Sequence, residues 1–233
     1  MATVPIVAQH DDFFVVDKPT GMHMHSQHQQ TGIIPHLQQQ LNCDSLWPVH
    51  RLDADTSGLL LIARNQKSAA ELSQAFATRQ TVKYYLALSS SKPQKKQGSI
   101  VGDMQSSRNG NYKLLKSKSN PAVTHFFSHS IQPGLRLFLL KPYSGKTHQL
   151  RVALKSIGAA ILGDNRYGGE KADRLYLHAW HLAFTFQQQL FCYSQLPTTG
   201  LYFNDRFREA VTVMTPGNKH PWPDTKLQPL VMP

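Results

Sequence analysis

Short apolar or alternating stretches, separated by Gly, Pro, Asn and Asp, recur along the chain and predict strands. Three segments carry the apolar spacing of a helix instead, and one of them follows Asn65, a residue type that caps helices well. Strands outnumber helices and do not alternate strictly with them, which favours an α+β fold over a doubly wound sheet. The predicted helices are residues 31–42, a segment that begins after the cap Asn65 and extends to Ala77, and residues 147–157. The predicted strands are residues 4–9, 13–17, 46–52, 58–63, 82–88, 122–130, 135–141 and 175–186.

Two segments depart from this pattern. Residues 89–121 are polar, basic and rich in Ser, Gly and Asn, and they predict an insertion in the form of an exposed hairpin or a mobile loop. The C-terminus from Thr215 is rich in proline and is predicted to trail over the surface. We therefore expect one domain over residues 1–217 and a Pro-rich tail over residues 218–233.

The charge of the chain indicates a polyanionic partner. Its 233 residues carry 25 Lys and Arg against 14 Asp and Glu, a formal net charge of +11, which favours nucleic acid or an anionic membrane surface. No apolar run approaches the length of about 20 residues that spans a bilayer, and the N-terminus has no signal-peptide pattern. The two cysteines, Cys43 and Cys192, predict neither a disulfide framework nor a zinc ribbon, so we expect a cytoplasmic protein.

The segment from His50 to Leu61 concentrates polar chemistry at the mouth of an apolar run. Arg51 and Asp53 precede a Thr-Ser-Gly turn. A carboxylate in this place could be a nucleophile, a base or half of a structural ion pair, and the residues alone favour the ion pair. Asp55 is a competing carboxylate that could merely cap the loop.

Two further segments combine basic residues with other functional groups. Gly145 to Arg151 could bind phosphate at a helix start, or could be an ordinary capped helix with a solvated polar face. Arg151 could also pair with a buried aspartate and keep it ionised. Alternation along the strand over 82–88 places Lys83 and Tyr85 on one face, where an aromatic ring could stack a base, although a strand with one half-exposed tyrosine is the simpler interpretation.

The sequence predicts neither a metal nor a cofactor. The histidines between His23 and His28 have ligand-like spacing, but no acidic residue or cysteine stands beside them, so a solvated loop is favoured. The chain contains no dinucleotide fingerprint, GxSxG or HExxH, which argues against nicotinamide chemistry and against hydrolases of the serine or zinc type.

Four stretches occur in the order Asp17–Gly21, His50–Leu61, Lys83–Ala87, and Gly145–Val152 with its continuation through Ile157–Gly158 and Gly163–Gly168; Leu177–Ala179 follows them in a predicted strand. Together they resemble the ordered motifs of the RluA-type family of RNA pseudouridine synthases. Each is weak alone, but the ordered set is specific and covers roughly residues 10–186. The resemblance implies an α+β fold with a mixed, mainly antiparallel sheet core of the pseudouridine synthase type and flanking helices and loops. It also implies a stand-alone catalytic domain without an N-terminal S4-like domain.

The resemblance assigns roles to particular residues of this chain. Asp53 would be the catalytic aspartate, Tyr85 would line the uracil pocket and act in proton transfer, and Arg151 would form an ion pair with Asp53. Leu150 would form part of the apolar wall of the pocket, and Arg51 would fill the stack that a flipped nucleotide leaves. The further residues expected to bind RNA are Lys83, Lys146, Thr147, His148 and Arg166.

Two positions depart from the family pattern. The family usually has Arg where this chain has Lys146, and often His where it has Ala153. Lysine keeps the charge of arginine but loses its bidentate geometry toward phosphate, so we expect the departures to affect the grip on RNA more than the chemistry.

The implied activity is the isomerisation of a specific uridine in structured tRNA or ribosomal RNA. We expect RNA as partner, no membrane, no metal or nucleotide cofactor, and a monomer. A non-catalytic RNA-binding or RNA-folding module on the same scaffold explains the charge equally well, but gives no reason for Asp53 beside Arg51 together with Arg151. A glycoside hydrolase using Asp53 and Asp55 needs carboxyl groups about 5–10 Å apart across a sugar, and the basic surface argues against a neutral glycan.

Overall fold

The computed structural model describes residues 3–27, 30–214 and 222, which form a mixed, mainly antiparallel sheet structure with four α-helices. The expected α+β class is therefore confirmed. The helices are α1 (Ile33–Leu41), α2 (Gln66–Ala77), α3 (Gln149–Ser156) and α4 (Asp205–Val213). The strands are β1 (Ile6–Gln9), β2 (Phe13–Lys18), β3 (Trp47–Pro48), β4 (Ser57–Ala63), β5 (Thr81–Ser89), β6 (Gln97–Gly102), β7 (Met104–Ser106), β8 (Tyr112–Leu114), β9 (Ala122–Gln132), β10 (Leu135–Pro142), β11 (Leu177–Phe186) and β12 (Gln189–Ser194).

The chain divides into two compact units. The first contains the described residues up to Lys83 together with His178–Pro197, and the second contains Tyr84–Leu177 and the described residues from Thr198 onward. In the described part of the chain, no helix is long and apolar enough to cross a membrane.

The first unit is built on strands paired in the order β1, β2, β4, β11 and β12, with β3 also paired to β4. Strands β4 and β11 run parallel, and the other pairs are antiparallel. Alternate residues of β2, β4 and β11 point to one face, where helix α2 contributes Leu72 to the core. The core residues are Phe13, Val15, Val49, Leu59, Leu61, Ala63, Leu72, Leu182, Phe184 and Phe186.

The second unit contains antiparallel strands in the order β5, β10, β9 and β6. Strands β7 and β8 form a separate hairpin. Helix α4 packs against β9 and β10 and buries Phe207, Ala210 and Val211, which lie at helical spacing. The segment 89–121 therefore contains β6, which pairs with β9, and the β7–β8 hairpin.

Most of the predicted elements are confirmed, including α2, whose N-cap Asn65 accepts a hydrogen bond from Ser68 N at 2.8 Å. The strand predicted over 46–52 is wrong beyond Pro48, because the His50 ring, rather than a backbone carbonyl, accepts the Leu61 N–H (3.0 Å). The sequence analysis predicted neither β12 nor α4. Of the predicted tail over 218–233, all but Trp222 lies outside the described residues.

Gly58, at the start of β4, tests the close approach of β4 to β11. Its φ is +112°, and a Cβ there would lie 2.3 Å from Ala179 O and 2.6 Å from Ala179 N. We expect Gly58→Ala to lower the free energy of unfolding by about 3 kcal/mol, measured by urea denaturation. Gly145→Ala is the matched control, because a Cβ at Gly145 would meet nothing within 4 Å; equal stability of the two variants would contradict this account.

Candidate active site

Asp53 lies on the loop between β3 and β4. Leu52 is buried and anchors the loop, whereas Asp53 itself is half-buried and Arg51 and Asp55 are exposed. The Asp53 carbonyl accepts a hydrogen bond from Thr56 N (3.1 Å), which closes a tight turn directly before β4. The loop thus presents a carboxylate at the entrance of a fully buried strand, with the exposed side chain of Arg51 two residues before it.

The side chain of Lys18 holds the Asp53 loop in place through hydrogen bonds to backbone carbonyls. Lys18 ends β2, is fully buried, and donates hydrogen bonds to the carbonyl oxygens of Pro19 (2.8 Å), Met22 (2.8 Å) and Ala54 (2.7 Å). An ammonium group removed from water is strongly unfavourable unless such partners replace its hydration. Lys18 therefore holds the backbone next to Asp53 against the loop that follows β2. A second link comes from Thr20 Oγ1, which donates to the Asp55 carbonyl (2.7 Å).

The start of β4 is fixed by a buried hydrogen-bonded chain. The Ser57 hydroxyl and His178 Nδ1 are 2.8 Å apart, and His178 Nε2 donates to the Gln195 carbonyl (2.8 Å). Because a carbonyl only accepts, the proton of a neutral His178 lies on Nε2, and Nδ1 accepts from Ser57. The resemblance to the family covered His178 through Leu177–Ala179 but assigned it no role.

In the first unit, a compact cluster is formed by His50, Phe76 and Lys83. The rings of His50 and Phe76 stack with centroids 4.4 Å apart, and Lys83 Nζ lies 5.3 Å from the centre of the Phe76 ring. Burial, together with the nearby charge of Lys83, lowers the pKa of His50 to about 3. Burial also lowers the pKa of Lys83 to about 8. His50 is therefore neutral at physiological pH, and the ammonium group of Lys83 faces an aromatic ring.

The second unit carries Tyr85 and the helix α3 residues. Tyr85 is half-buried on β5 opposite Leu140 of β10. Leu150 and Arg151 lie buried in the first turn of α3. The Arg151 guanidinium donates from Nε and Nη2 to the two carboxylate oxygens of Asp164, each at 2.8 Å, and Asp164 is almost fully buried. This bidentate pair fixes the direction of the Arg151 side chain.

Asp164 also organises the loop that contains Arg166 and Tyr167. Its Oδ1 accepts hydrogen bonds from the backbone N–H groups of both residues at 3.2 Å. The Arg151 guanidinium lies 5.1 Å from the centre of the Tyr167 ring, and the Tyr167 hydroxyl is 2.8 Å from His148 Nδ1. His148, the N-cap of α3, is held at a φ of +57°. His148, Arg151, Asp164, Arg166 and Tyr167 therefore form one connected network of contacts.

This network extends to the β7–β8 hairpin. The Tyr167 hydroxyl accepts a hydrogen bond from Tyr112 N (3.0 Å). Arg166 Nη1 donates to the Asn109 carbonyl (2.6 Å) and to Asn111 Oδ1 (3.2 Å). The hairpin within the segment 89–121 is thus joined to the loop that follows α3.

The loop before α3 is closed by Gln149. Its Oε1 accepts hydrogen bonds from the Ser144 hydroxyl (2.8 Å) and from Lys146 N (3.1 Å). Lys146 Nζ donates to the Asn120 carbonyl, and Thr147 is exposed. Helix α3 therefore begins at Gln149, two residues later than predicted.

The structure places the predicted residues on both units. Arg51, Asp53 and Lys83 belong to the first unit. The proximity of Asp53 to Tyr85 and to Arg151 stays a prediction. The residues of the second unit are Tyr85, Lys146, Thr147, His148, Leu150, Arg151 and Arg166.

The sequence analysis missed Lys18, Asp164 and Tyr167 as organising residues. A signal for Lys18 was present, because a lysine directly after an apolar strand must find partners if that strand is buried. Within the described residues, no group of three or more His, Cys, Asp or Glu side chains could hold a metal ion.

Comparisons with known proteins identify the family of this chain. Residues 12–156 match the family model described as RNA pseudouridylate synthase. An "uncharacterized RNA pseudouridine synthase" of Haemophilus influenzae is 48% identical over 86% of this chain and 90% of its own length. The "ribosomal large subunit pseudouridine synthase C" of Rickettsia bellii is 30% identical over 88% of this chain and 71% of its own. The solved structure of "human RNA pseudouridylate synthase domain containing 1" aligns with a TM-score of 0.74, covering 95% of this chain and 97% of its own at 23% identity, and so supports the fold.

Replacement of Lys18 tests its role in holding the Asp53 loop. Lys18→Met keeps an unbranched side chain but leaves three carbonyls without this donor. We expect the free energy of unfolding, measured by urea denaturation, to fall by about 3 kcal/mol. Lys67→Met, on the exposed face of α2, is the control and should change stability by less than about 0.5 kcal/mol. A Lys18→Met protein as stable as this control would overturn the assignment.

The low pKa of His50 predicts a pH dependence of stability. The unfolded chain binds a proton on this histidine near about pH 6.5, whereas the folded protein excludes it until about pH 3. The stabilisation of the folded protein by neutral His50 is therefore fully present above about pH 6.5 and is lost as the pH falls toward about 3. Between these two pH values, we expect His50 to add up to about 1.4 kcal/mol per pH unit to the decrease of the free energy of unfolding with falling pH. The His50→Gln variant should lack this part of the pH dependence. Urea denaturation at several pH values measures this slope; identical slopes in the two proteins would count against a neutral His50 in the folded state.

Proposed function

This chain belongs to the RNA pseudouridylate synthase family, and we propose that it isomerises a specific uridine of structured RNA with Asp53 as the catalytic residue. The assignment of Asp53 is supported mainly by the hydrogen bonds that hold its backbone in place. The carboxylate sits on a turn closed by Thr56, and Lys18 binds the carbonyl of the next residue, Ala54, at 2.7 Å. A group that must meet one sugar and base needs a backbone fixed in this way.

The reaction requires a carboxylate but no redox partner. The N1–C1′ bond of uridine breaks, the base turns, and a C5–C1′ bond forms; the proton leaves C5, and N1 gains one. We propose that Asp53 acts as the nucleophile or stabilises the developing charge. Tyr85, half-buried on β5, lines the uracil pocket and takes part in the proton transfer. Leu150 supplies part of the apolar wall, and we propose that Arg151, whose Nε and Nη2 bind Asp164, uses its remaining N–H groups to pair with Asp53.

The target base must leave its stack to reach a pocket of this kind. We propose that Arg51, exposed beside Asp53, fills the space that the base leaves. The residues proposed to hold the surrounding phosphates are Lys146, Thr147, His148 and Arg166. With a net charge of +11, binding should weaken steeply with salt. Lys83 is half-buried and its ammonium group lies 5.3 Å from the centre of the Phe76 ring, which favours a contribution to the pocket over a grip on phosphate.

We propose ribosomal RNA ahead of tRNA as the substrate class. The support is the name of the Rickettsia bellii relative, a ribosomal large subunit pseudouridine synthase. The protein would act in the cytoplasm, where these RNAs are modified, and as a monomer. Because the isomerisation is redox-neutral and intramolecular, its chemistry needs neither a nucleotide cofactor nor a metal.

The assignment of Asp53 is tested by pseudouridine mapping, using carbodiimide-dependent primer extension on total RNA. Cells lacking the protein are compared with the same cells carrying wild-type, Asp53→Asn or Asp55→Asn protein. We expect one or more sites to disappear without the protein and to return with wild type and Asp55→Asn. Asp53→Asn should bind RNA but lower the isomerisation rate by at least about a thousandfold.

Asp55→Asn is the matched control because it changes an exposed carboxylate on the same loop, whose backbone carbonyl accepts from Thr20. Full activity of Asp53→Asn would exclude Asp53 as the catalytic residue. A wild-type protein that binds RNA but modifies no site would favour the non-catalytic RNA-binding module.

A further inference from the structure

A cavity of about 430 Å³ lies in the first unit beside the Asp53 loop. It is lined by residues 23–25 and Gln27 from the segment before α1, and by Pro48, residues 50–52 and Ala54 from β3 and the loop that follows it. This volume falls within the range of about 300–1,000 Å³ that is usual for small-ligand sites. Since Leu52 and Ala54 flank Asp53 in sequence, a ligand here would lie next to the proposed catalytic residue.

Both walls of the cavity are held by backbone contacts. Lys18 joins them, because its ammonium group binds the carbonyls of Met22 and Ala54. The first N–H groups of helix α1, from Ile33 and Ile34, donate to the carbonyls of His23 (2.8 Å) and Met24 (3.3 Å). The cavity is therefore a built feature of the loop structure and does not depend on surface side chains alone.

The lining combines nitrogen-bearing and apolar side chains. His23, His25, His50 and Arg51 contribute imidazole and guanidinium groups, and none of the described residues that line the cavity is acidic. Met24 and Leu52 supply apolar surface. The His50 ring is held in place, since its Nε2 accepts from Leu61 N and the ring stacks on Phe76. Such a lining suits a flat, partly apolar base attached to an anionic phosphate.

We propose that this cavity binds one unpaired RNA nucleotide adjacent to the target uridine, with its base against Met24 and His50 and its phosphate toward His25, while Arg51 at the rim fills the stack that the target uridine leaves. This inference rests on the proposed function for its link to the target uridine. A base enters such a cavity only when it is outside a helix, so the subsite selects RNA whose strand is already open, or opens, at two neighbouring positions.

Photocrosslinking tests the subsite without a known target. The full chain is irradiated with a random-sequence RNA pool of about twelve nucleotides in which 4-thiouridine replaces uridine, and crosslinked peptides are mapped by mass spectrometry. We expect crosslinks within residues 23–27 or 50–54. Met24→Trp, which fills the cavity, should lower their yield about tenfold, and His25→Ala about threefold. His129→Ala, an exposed histidine on β9, is the control and should leave the yield unchanged.

Crosslinks confined to other peptides, or a yield in Met24→Trp equal to that of the control, would overturn the subsite. Circular dichroism and urea denaturation of Met24→Trp identify a loss of crosslinking that comes from misfolding, and His25→Ala, an exposed substitution, then decides the outcome. Cavity crosslinks from a wild-type protein that isomerises no uridine would uphold nucleotide binding and refute the proposed function, so the two failures are separable.

A kinetic measurement tests the link to the reaction once a modified site is mapped. On that RNA, Met24→Trp should raise KM about tenfold and leave kcat within about twofold, because the subsite contributes binding and not chemistry. A fall in kcat with KM unchanged would place Met24 in the chemical step and would overturn the subsite assignment.

Discussion

The loop that carries Asp53 depends on the hydrogen bonds that the buried ammonium group of Lys18 donates to backbone carbonyls. Lys18 lies at the end of β2 with none of its surface exposed, and its hydrogen bonds reach the loop after β2 and the backbone at Ala54. Charge burial of this kind is tolerated only when fixed partners replace water. The backbone next to Asp53 is therefore held in place by the requirement that the buried Lys18 ammonium group have carbonyl partners. The same requirement fixes both walls of the neighbouring cavity.

The second unit uses an ion pair for a similar purpose. Arg151 and Asp164 satisfy each other bidentately, and the remaining capacity of Asp164 binds the backbone of Arg166 and Tyr167. Removing either partner would leave a buried charge, so the pair constrains the sequence even if it adds little net stability. Groups proposed to bind RNA are thus oriented before RNA arrives, which avoids the cost of ordering them on binding.

The helix and strand predictions succeeded where a local pattern was sufficient. Helix α2 follows from the cap at Asn65, and β4 from a continuous apolar run. The strand β12 was missed because the two-residue turn before it has φ values of +48° and +64° at Gln187 and Gln188, where glycine or asparagine usually marks such a turn. Helix α4, in contrast, has an asparagine N-cap and helical apolar spacing, so its sequence does contain the signal.

The sequence by itself determined the fold class, the family and the identity of the candidate residues, because ordered motifs, charge and periodicity are properties of the chain. The tertiary structure decided which residues satisfy one another. One of the three carbonyls that bind Lys18 lies 36 positions away, and the histidine that pairs with Ser57 lies 121 positions away. Such pairings arise from the requirement that buried polar groups find partners, and the folded chain alone brings those partners within reach.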